Sequence, residues 1–200
     1  MLKQSFYARG ASIVARDLLG KRLVRLQDGC RLSGLIVETE AYCDSVEPDL
    51  ACHAARANNG QPTKRTAVIF GPAGVAYVYF IYGMYWMFNV VTGQPGQANA
   101  VLVRALEPVE GVEEMRANRN GRSALTNGPG KLAQALQIDK NLADANLCDP
   151  NGVLWIEDAP TIPQTDIATG PRIGLGKTPE PWYSAPWRYW MRNNKFVSVR

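Results

Sequence analysis

The sequence has a single histidine, His53, among its 200 residues. One imidazole excludes the zinc sites that need several, and no H-E-x-x-H pattern occurs. The four cysteines form no C-x-x-C pair. Cys43 and Cys52 lie near His53 and could in principle share a metal with it, but soft-metal sites usually have closer ligand pairs. Reduced thiols without a metal are therefore the interpretation that we favour.

Long apolar runs and a secretion signal are also absent. No run of 18 apolar residues occurs, so no membrane-spanning helix is predicted. The first residues lack the basic-then-apolar pattern that directs a protein to secretion. We therefore expect a cytoplasmic protein that has no membrane partner.

Two common catalytic motifs are missing as well. Neither the phosphate-binding pattern G-x-x-x-x-G-K-[ST] nor the serine-nucleophile pattern G-x-S-x-G occurs. The segment Gly128-Pro129-Gly130-Lys131 is too short to be the first of these. A glycine-rich helix start with Lys131 could nevertheless hold a phosphate of DNA.

The net charge of +4 is unevenly distributed along the chain. Residues 172–200 contain six Lys and Arg residues and one acid, Glu180, whereas residues 1–171 contain 16 basic and 17 acidic residues. A basic end on a nearly neutral body suggests a surface that faces a polyanion. A mixed, solvated surface is the alternative, and charge alone does not separate the two.

The composition is that of an ordinary globular protein. Apolar residues make up 46% and charged residues 20%, and the length fits one domain over 1–200. Helical spacing predicts helices over 11–19, 109–119 and 131–138. Runs of β-branched and aromatic residues predict strands over 21–26, 32–40, 75–81, 84–91, 100–105, 152–157 and 172–175, with a hairpin turn at 27–29. The long segment 43–72 is predicted to be irregular. We therefore predict an α+β fold, in which helices surround a curved, mostly antiparallel sheet.

Two carboxylates lie on one face of a predicted strand. Glu38 and Glu40 are two residues apart, and the neighbouring Ile36, Val37 and Ala41 indicate that this strand is buried. A buried carboxylate is costly unless it has a partner or a function. Paired carboxylates also tend to have separated pKa values, which suits a general base. Their alternative role is an ion pair with a nearby arginine such as Arg104.

Aromatic residues are concentrated between 77 and 85, where five of nine residues are aromatic. Tyr77 and Tyr79 share one face of a predicted strand, and such residues usually belong to a core. Beside a glycine-containing turn they also form the kind of surface on which nucleic-acid bases stack. Tyr82 precedes Gly83 and could insert into a duplex. His53 is more often a packed or capping residue, but its ring could hold a heteroaromatic ligand.

Two polar residues interrupt the predicted core strands. Asn89 lies within an apolar run, so its side chain must be hydrogen-bonded, either to the backbone or to the edge of a ligand. Arg104 interrupts the run from 101 to 106. It is either the charge partner of Glu38 or Glu40, or a clamp for a phosphate.

Together these residues resemble the alkyladenine (3-methyladenine, N-methylpurine) DNA glycosylase family, over nearly the whole chain. The resemblance depends on motifs in a fixed order, each of them weak when taken alone. The motifs are Val37-Glu38-Thr39-Glu40-Ala41-Tyr42, Ala51-Cys52-His53, Tyr77-Val78-Tyr79-Phe80-Ile81-Tyr82-Gly83-Met84, Asn89-Val90-Val91, Leu102-Val103-Arg104-Ala105-Leu106-Glu107-Pro108 and Leu125-Thr126-Asn127-Gly128-Pro129-Gly130-Lys131-Leu132.

The resemblance implies a monofunctional enzyme of base excision repair that needs no metal or cofactor. Its partner would be duplex DNA that contains damaged purines of the 3-methyladenine, 7-methylguanine, hypoxanthine and ethenoadenine class. A monomer would cut the N-glycosidic bond and leave an abasic site. The resemblance implies that Glu40 is the general base that deprotonates the attacking water, with Arg104 beside that water and the nucleotide phosphate.

The resemblance also implies how the damaged base is held. Tyr42, His53 and Tyr79 would line the pocket and stack on the flipped base. Asn89 would disfavour the exocyclic amine of normal guanine, and Tyr82 would intercalate where the base has left. The loop from Tyr42 to His53 is longer here than the spacing common in the family.

Two other functions remain as alternatives. The first is a non-catalytic module that binds damaged DNA through the same tyrosines and the basic C-terminal end. The second is an enzyme that acts on free purine nucleosides without DNA. The presence of Glu40 favours an enzyme over the binding module.

Overall fold

The computed structural model describes residues 1–42, 48–56 and 60–199. Within them the strands form one eight-stranded sheet: β1 (Arg22–Gln27), β2 (Cys30–Tyr42), β3 (Ala76–Ile81), β4 (Tyr85–Val91), β5 (Ala100–Glu110), β6 (Leu154–Glu157), β7 (Ile167–Gly170) and β8 (Arg188–Met191). The α-helices are α1 (Gln4–Tyr7), α2 (Ala11–Asp17), α3 (His53–Arg56), α4 (Val112–Asn118) and α5 (Pro129–Ala135). Every pairing of these strands is antiparallel. The predicted α+β class is confirmed.

Strand β2 is the centre of the sheet because it pairs with three neighbours. β1 pairs with it from Cys30 to Leu35, and β8 takes the place of β1 from Glu38 to Glu40. On its other side β5 pairs along its length, with register shifts on both sides of Glu38. Shifts of this kind bend a strand and redirect its side chains. The sheet therefore curves at the two carboxylates that the sequence singles out.

Two tight turns close hairpins of the sheet. β1 and β2 join through Asp28 and Gly29, whose φ angles are 49° and 82°. Two successive positive φ angles are what a two-residue hairpin turn of this kind requires. The predicted hairpin is therefore present. β3 and β4 join through residues 82–84, so Tyr82 is the first residue of the turn in this second hairpin.

The core lies between the sheet and the helices. Helix α2 packs on β2 and β5, and α5 packs on β4 and β5. The largest fully buried side chains are Tyr7, Phe88, Leu18, Leu19, Leu23, Leu32, Ile36, Ile69, Leu106, Met115, Leu132 and Leu136. A smaller buried cluster includes Ala54, Ile69 and Tyr77. It holds the segment that contains α3 against β3, and this contact places His53 beside the tyrosines.

The predicted strand over 172–175 is wrong. These residues form a loop in which Gly174 and Gly176 have φ angles of 78° and 60°. Arg172 is buried at the start of the loop and pairs with Asp49. The position of this segment is therefore set by the buried ion pair and not by strand pairing. The last strand pair, β7 and β8, lies outside every predicted strand, because Trp and Pro dominate the sequence around it.

Other boundaries also differ from prediction. Strand β5 continues through Pro108 to Glu110, and α4 begins at Val112 rather than at 109. A register shift between Ser33 and Gly34 accommodates the proline. The described parts of 43–72 contain α3 and a 3-10 turn at Ala67–Phe70, and residues 43–47 and 57–59 lie outside the described residues. No helix of the described residues is long and apolar enough to cross a membrane.

The link between β5 and α4 yields a stability prediction. Gly111 has a φ of 69°, and a Cβ there would overlap the Leu32 side chain and lie 2.8 Å from the Arg31 carbonyl oxygen. We expect Gly111→Ala to lower the free energy of unfolding by about 2–4 kcal/mol, since left-handed backbone strain and overpacking add. Urea unfolding followed by tryptophan fluorescence measures this change.

Gly29→Ala is the matched control for this experiment. Gly29 has a φ of 82°, but nothing lies within 4 Å of a Cβ at that position. We expect it to lose only about 1–2 kcal/mol, the cost of the positive φ alone. Equal losses for the two variants would contradict the close approach of Gly111 to β2.

Candidate active site

Glu38 is a fully buried carboxylate of β2 that is surrounded by donors. It accepts hydrogen bonds from Arg104 Nε at 3.1 Å and from Arg188 Nε at 2.7 Å. The backbone N–H and the hydroxyl of Ser198 donate to it at 2.7 and 2.9 Å. Two cations and two further donors offset the cost of burying this charge. Of the two roles considered for the paired carboxylates, general base and ion pair, Glu38 therefore has the ion pair with Arg104.

Glu40, two residues further along β2, is also fully buried. Its Oε1 accepts a hydrogen bond from the Ile173 N–H at 2.7 Å and lies 3.1 Å from Arg104 Nη1. Its Oε2 accepts a hydrogen bond from the Tyr42 hydroxyl at 2.9 Å. Arg104 therefore bridges the two carboxylates, and the partners of Glu40 differ in kind from those of Glu38.

A cavity of about 310 Å³ lies against these groups, within the size range of ligand pockets. Six of the eight predicted site residues line it: Tyr42, His53, Tyr79, Tyr82, Asn89 and Arg104. Glu40 lies directly behind the wall, because the residues that contact its carboxylate (Tyr42, Arg104 and Ile173) all line the cavity. The arrangement combines an acidic group with a cavity whose lining includes four tyrosines and a histidine.

The aromatic side chains pack on one another at one wall of the cavity. The His53 ring meets the Tyr79 ring edge-on at 4.6 Å between centroids, and Tyr77 lies 5.1 Å from Tyr79. His53 Nδ1 is 3.4 Å from the Tyr77 hydroxyl. Burial raises the pKa of Tyr77 to about 12 and also raises the pKa of Tyr42 and Tyr79. All three hydroxyls therefore stay protonated at neutral pH, and Tyr42 acts as a donor to Glu40.

Asn89 lies on β4 opposite Tyr77 and is buried in the cavity wall. Its Nδ2 donates a hydrogen bond to the Tyr77 carbonyl at 3.1 Å. The backbone tie that the sequence suggests is therefore present. Because this bond orients the amide, Asn89 presents a defined polar group to whatever enters the cavity.

Tyr82 lies at the tip of the β3–β4 hairpin, at the edge of the cavity. Its side chain is 70% exposed, and that of Met84 is 63% exposed. Tyr82 has a φ of 54°, an uncommon conformation for a residue other than glycine. The hairpin therefore projects two large side chains into solvent beside the cavity, and intercalation by Tyr82 stays a prediction.

The sequence of this chain matches the methylpurine-DNA glycosylase family from residue 5 to residue 195. The chain belongs to this family. The protein is thus a DNA glycosylase, an enzyme of DNA repair, and the predicted family resemblance is confirmed.

Bacterial relatives support the assignment of this DNA glycosylase. A protein of Myxococcus xanthus is 47% identical over 98% of this chain and 93% of its own length. A protein of Carboxydothermus hydrogenoformans is 46% identical over the full length of both chains, and one of Anaeromyxobacter dehalogenans is 46% identical over 98% of this chain and 86% of its own. Each is named "putative 3-methyladenine DNA glycosylase".

Lys131 lies apart from the other predicted site residues of the glycosylase. It sits in the first turn of α5, and its Nζ is 3.1 Å from the Asn127 side-chain oxygen and 3.3 Å from the Asn127 carbonyl. Pro129, at the start of the same helix, lines the cavity. The helix therefore brings Lys131 near the cavity without placing it in the wall, and its contact with a DNA phosphate stays a prediction.

The basic excess of residues 172–200 is partly internal to the glycosylase. Arg172 and Arg188 are buried, and they pair with Asp49 and Glu38. The exposed basic residues of this segment in the described part of the chain are Lys177, Arg192 and Lys195. The predicted polyanion-facing surface is therefore smaller than the sequence suggests, because part of the charge neutralises buried acids.

The hypothesis of a metal held by Cys43, Cys52 and His53 falls partly on Cys43, which lies outside the described residues. Cys52 is buried and His53 contacts two tyrosines. Within the described residues no group of three or more His, Cys, Asp or Glu side chains could hold a metal ion.

Sequence reasoning did not identify three residues around Glu40. Asp49 and Arg172 form a buried ion pair although they lie 123 residues apart, and Ile173 donates its N–H to Glu40. Contacts over such distances leave no local pattern in a sequence. The sequence feature that could have indicated Arg172 and Ile173 is an arginine followed by an apolar residue in a glycine-rich segment. This pattern is equally typical of an exposed loop.

The contacts of Glu38 yield a second stability prediction. Glu38→Gln removes the charge that Arg104 and Arg188 share. It should lower the free energy of unfolding by about 3–5 kcal/mol, because Arg188 would stay buried without its counter-ion and Arg104 would keep only Glu40. Urea unfolding at neutral pH measures the loss. Glu113→Gln is the control: its side chain is 85% exposed beside Arg116, so we expect a change below about 0.5 kcal/mol. Similar losses for both variants would refute the buried network.

Proposed function

We propose that this DNA glycosylase flips damaged purines, alkylated or deaminated, out of duplex DNA and hydrolyses their N-glycosidic bond. The product is an abasic site and a free base. The observation that supports the proposal is a carboxylate, Glu40, directly behind the wall of an aromatic cavity, with an exposed aromatic wedge at its edge. A base inside the stack cannot be reached, so the enzyme must extrude it at a cost of a few kcal/mol.

Glu40 would act as the general base. Its Oε1 has two partners, Ile173 and Arg104, whereas Oε2 has the Tyr42 hydroxyl. A carboxylate oxygen accepts two hydrogen bonds, so Oε2 has room for the attacking water. Glu40 has no exposed surface. The water must therefore reach Oε2 between Tyr42 and Arg104 when the nucleotide is bound. The water then attacks C1′ of the sugar, Glu40 takes its proton, and the purine leaves with the electron pair of the glycosidic bond.

The cavity suits cationic purines. Rings of Tyr42, His53 and Tyr79 line it, and a cation over a desolvated aromatic face gains about 1–2 kcal/mol. An alkylated purine carries positive charge, so it both binds better and leaves as a neutral base. Asn89, oriented by Tyr77, would then disfavour the exocyclic amine of normal guanine.

Neutral lesions such as hypoxanthine and ethenoadenine require a proton on the leaving base. Among the described residues of the cavity wall no carboxylic acid is present, and Glu38 is held by two arginines. We infer that this proton comes from solvent or from a backbone route. All residues of this proposed mechanism come from one chain, so a monomer is sufficient for the reaction.

Glu40→Gln tests the proposed function. Glutamine preserves the size of the side chain but cannot accept the proton of the water. We expect single-turnover cleavage of a duplex with one 3-methyladenine analogue, ethenoadenine or hypoxanthine to fall at least about 10³-fold, while the Kd for the same duplex changes little. Gel-resolved strand scission after alkali measures cleavage, and fluorescence anisotropy measures binding.

The family assignment decides against both alternatives from the sequence, the non-catalytic module and the enzyme of free nucleosides, because this family consists of DNA glycosylases. The same assay tests the role of Glu40. Wild-type cleavage by Glu40→Gln would refute the general-base assignment. A panel of duplexes, each with a different damaged purine, then ranks the substrates.

Tyr82→Ala tests the wedge. An aromatic ring stacked on bases contributes about 1–3 kcal/mol, so we expect the Kd for lesion DNA to rise about 10- to 100-fold. Cleavage at saturating enzyme should fall less than binding. Tyr183→Ala is the control, since Tyr183 is 51% exposed and does not line the cavity. An unchanged Kd for Tyr82→Ala would refute intercalation by this residue.

A further inference from the structure

Arg172 has an unusual environment for an arginine. Its side chain is 0% exposed, as is that of Asp49. Its Nη1 donates to Asp49 Oδ2 at 2.5 Å and to the Ala41 carbonyl at 3.0 Å. Its Nη2 donates to Asp49 Oδ1 at 2.9 Å and to the Trp182 carbonyl at 3.2 Å. A two-pronged pair of this geometry, fully enclosed, holds the guanidinium plane in one orientation.

That plane lies against the ring of a residue that lines the cavity. The guanidinium carbon is 4.6 Å from the centroid of the Tyr42 ring and 4.9 Å from that of the Trp187 ring. A guanidinium stacks on aromatic faces and attracts them. Arg172 therefore holds the Tyr42 ring in place, and with it the Tyr42 hydroxyl.

Both oxygens of Glu40 are bonded to groups whose positions depend on Arg172. Oε1 accepts from the N–H of Ile173, the residue that follows Arg172 in the chain. Oε2 accepts from the hydroxyl of Tyr42, whose ring Arg172 covers. Arg172 also binds the carbonyl of Ala41, the residue that follows Glu40. One side chain thus links two contacts of the carboxylate and the backbone next to Glu40.

Asp49 extends this link to the part of the cavity wall that His53 forms. Its Oδ1 accepts from the Ala51 N–H at 3.0 Å, and its carbonyl accepts from the Cys52 N–H at 2.8 Å. These bonds form the turn that leads into α3 and His53. The ion pair therefore joins the segment that carries His53 to the strand that carries Glu40.

We propose that Arg172, with its counter-ion Asp49, is a positioning residue for the glycosylase reaction. It sets the angle at which Tyr42 and the Ile173 N–H meet Glu40, and so which carboxylate oxygen is open to the attacking water. It does not touch the reacting atoms. The inference rests on the proposed role of Glu40 as the base. A side chain that only stabilises the fold would change unfolding and leave the cleavage rate of folded enzyme intact.

The test compares Arg172→Met, Arg172→Lys and Arg116→Met in single-turnover cleavage at saturating enzyme. Each is assayed at a temperature where its circular dichroism shows it fully folded. We expect Arg172→Met to slow cleavage about 10- to 100-fold, the loss that corresponds to one hydrogen bond to a charged group. Lysine keeps the charge but cannot form the two-pronged pair with Asp49, so Arg172→Lys should recover part of this rate. Arg116 lies on α4, where its 42% exposed side chain pairs with Glu113, and it does not line the cavity, so Arg116→Met should cleave as wild type does.

Asp49→Asn gives a second route to the same conclusion, should Arg172→Met fail to fold. It keeps the shape of the side chain and removes the counter-ion. We expect it to slow cleavage as well, with less than a threefold change in the Kd for lesion DNA. Where the double variant folds, its rate should match that of the slower single variant, since the two residues act as a unit.

The outcomes separate this inference from the function on which it rests. Wild-type cleavage rates in folded Arg172→Lys and Asp49→Asn, with Glu40→Gln inactive, would overturn the positioning role and leave the base role standing. Rates that fall only in proportion to the folded fraction would also overturn it. Wild-type cleavage by Glu40→Gln would instead refute the proposed function itself.

Discussion

The structure depends on one arginine between two buried carboxylates. Arg104 contacts Glu38 through Nε and Glu40 through Nη1, each at 3.1 Å. Neither carboxylate has exposed surface, and two unpaired charges at such sites would cost several kcal/mol each. The register shifts around Glu38 in the β2–β5 pairing bend the sheet at this point. The curvature of the sheet and the chemistry of the site therefore have a common origin.

This constraint explains why the C-terminal segment packs against β2. Arg188 on β8 and Ser198 beyond it both donate to Glu38, and Arg188 also bonds the Val199 carbonyl. The C-terminal segment is thus held against β2 by the need to neutralise a buried acid. Glu38 is saturated by these interior partners, whereas the partners of Glu40 all line the cavity. Two identical side chains, two residues apart, acquire different chemistry from their surroundings.

The β3–β4 hairpin supplies the rest of the site through strand alternation. Tyr77 and Tyr79 point to the cavity from β3, and Asn89, opposite Tyr77 on β4, points the same way. The turn beyond them exposes Tyr82. Because successive side chains of a strand point to opposite faces, one hairpin can build a pocket wall and a protruding tip from adjacent residues. The wall is rigid because it belongs to the sheet, which suits the proposed binding of a planar base.

Local sequence determined a large part of this protein. Alternation and turn residues predicted the β1–β2 hairpin, the shared face of Glu38 and Glu40, and the aromatic strand, since these follow from local sequence and the backbone period. The order of the motifs identified the family.

Tertiary structure decided the rest. It placed Arg172 against Asp49 and Tyr42, it turned the predicted strand at 172–175 into a loop, and it paired β8 with β2. Those outcomes depend on partners more than 100 residues away in the chain, and a buried charge selects its partner by proximity in space, which no local pattern encodes.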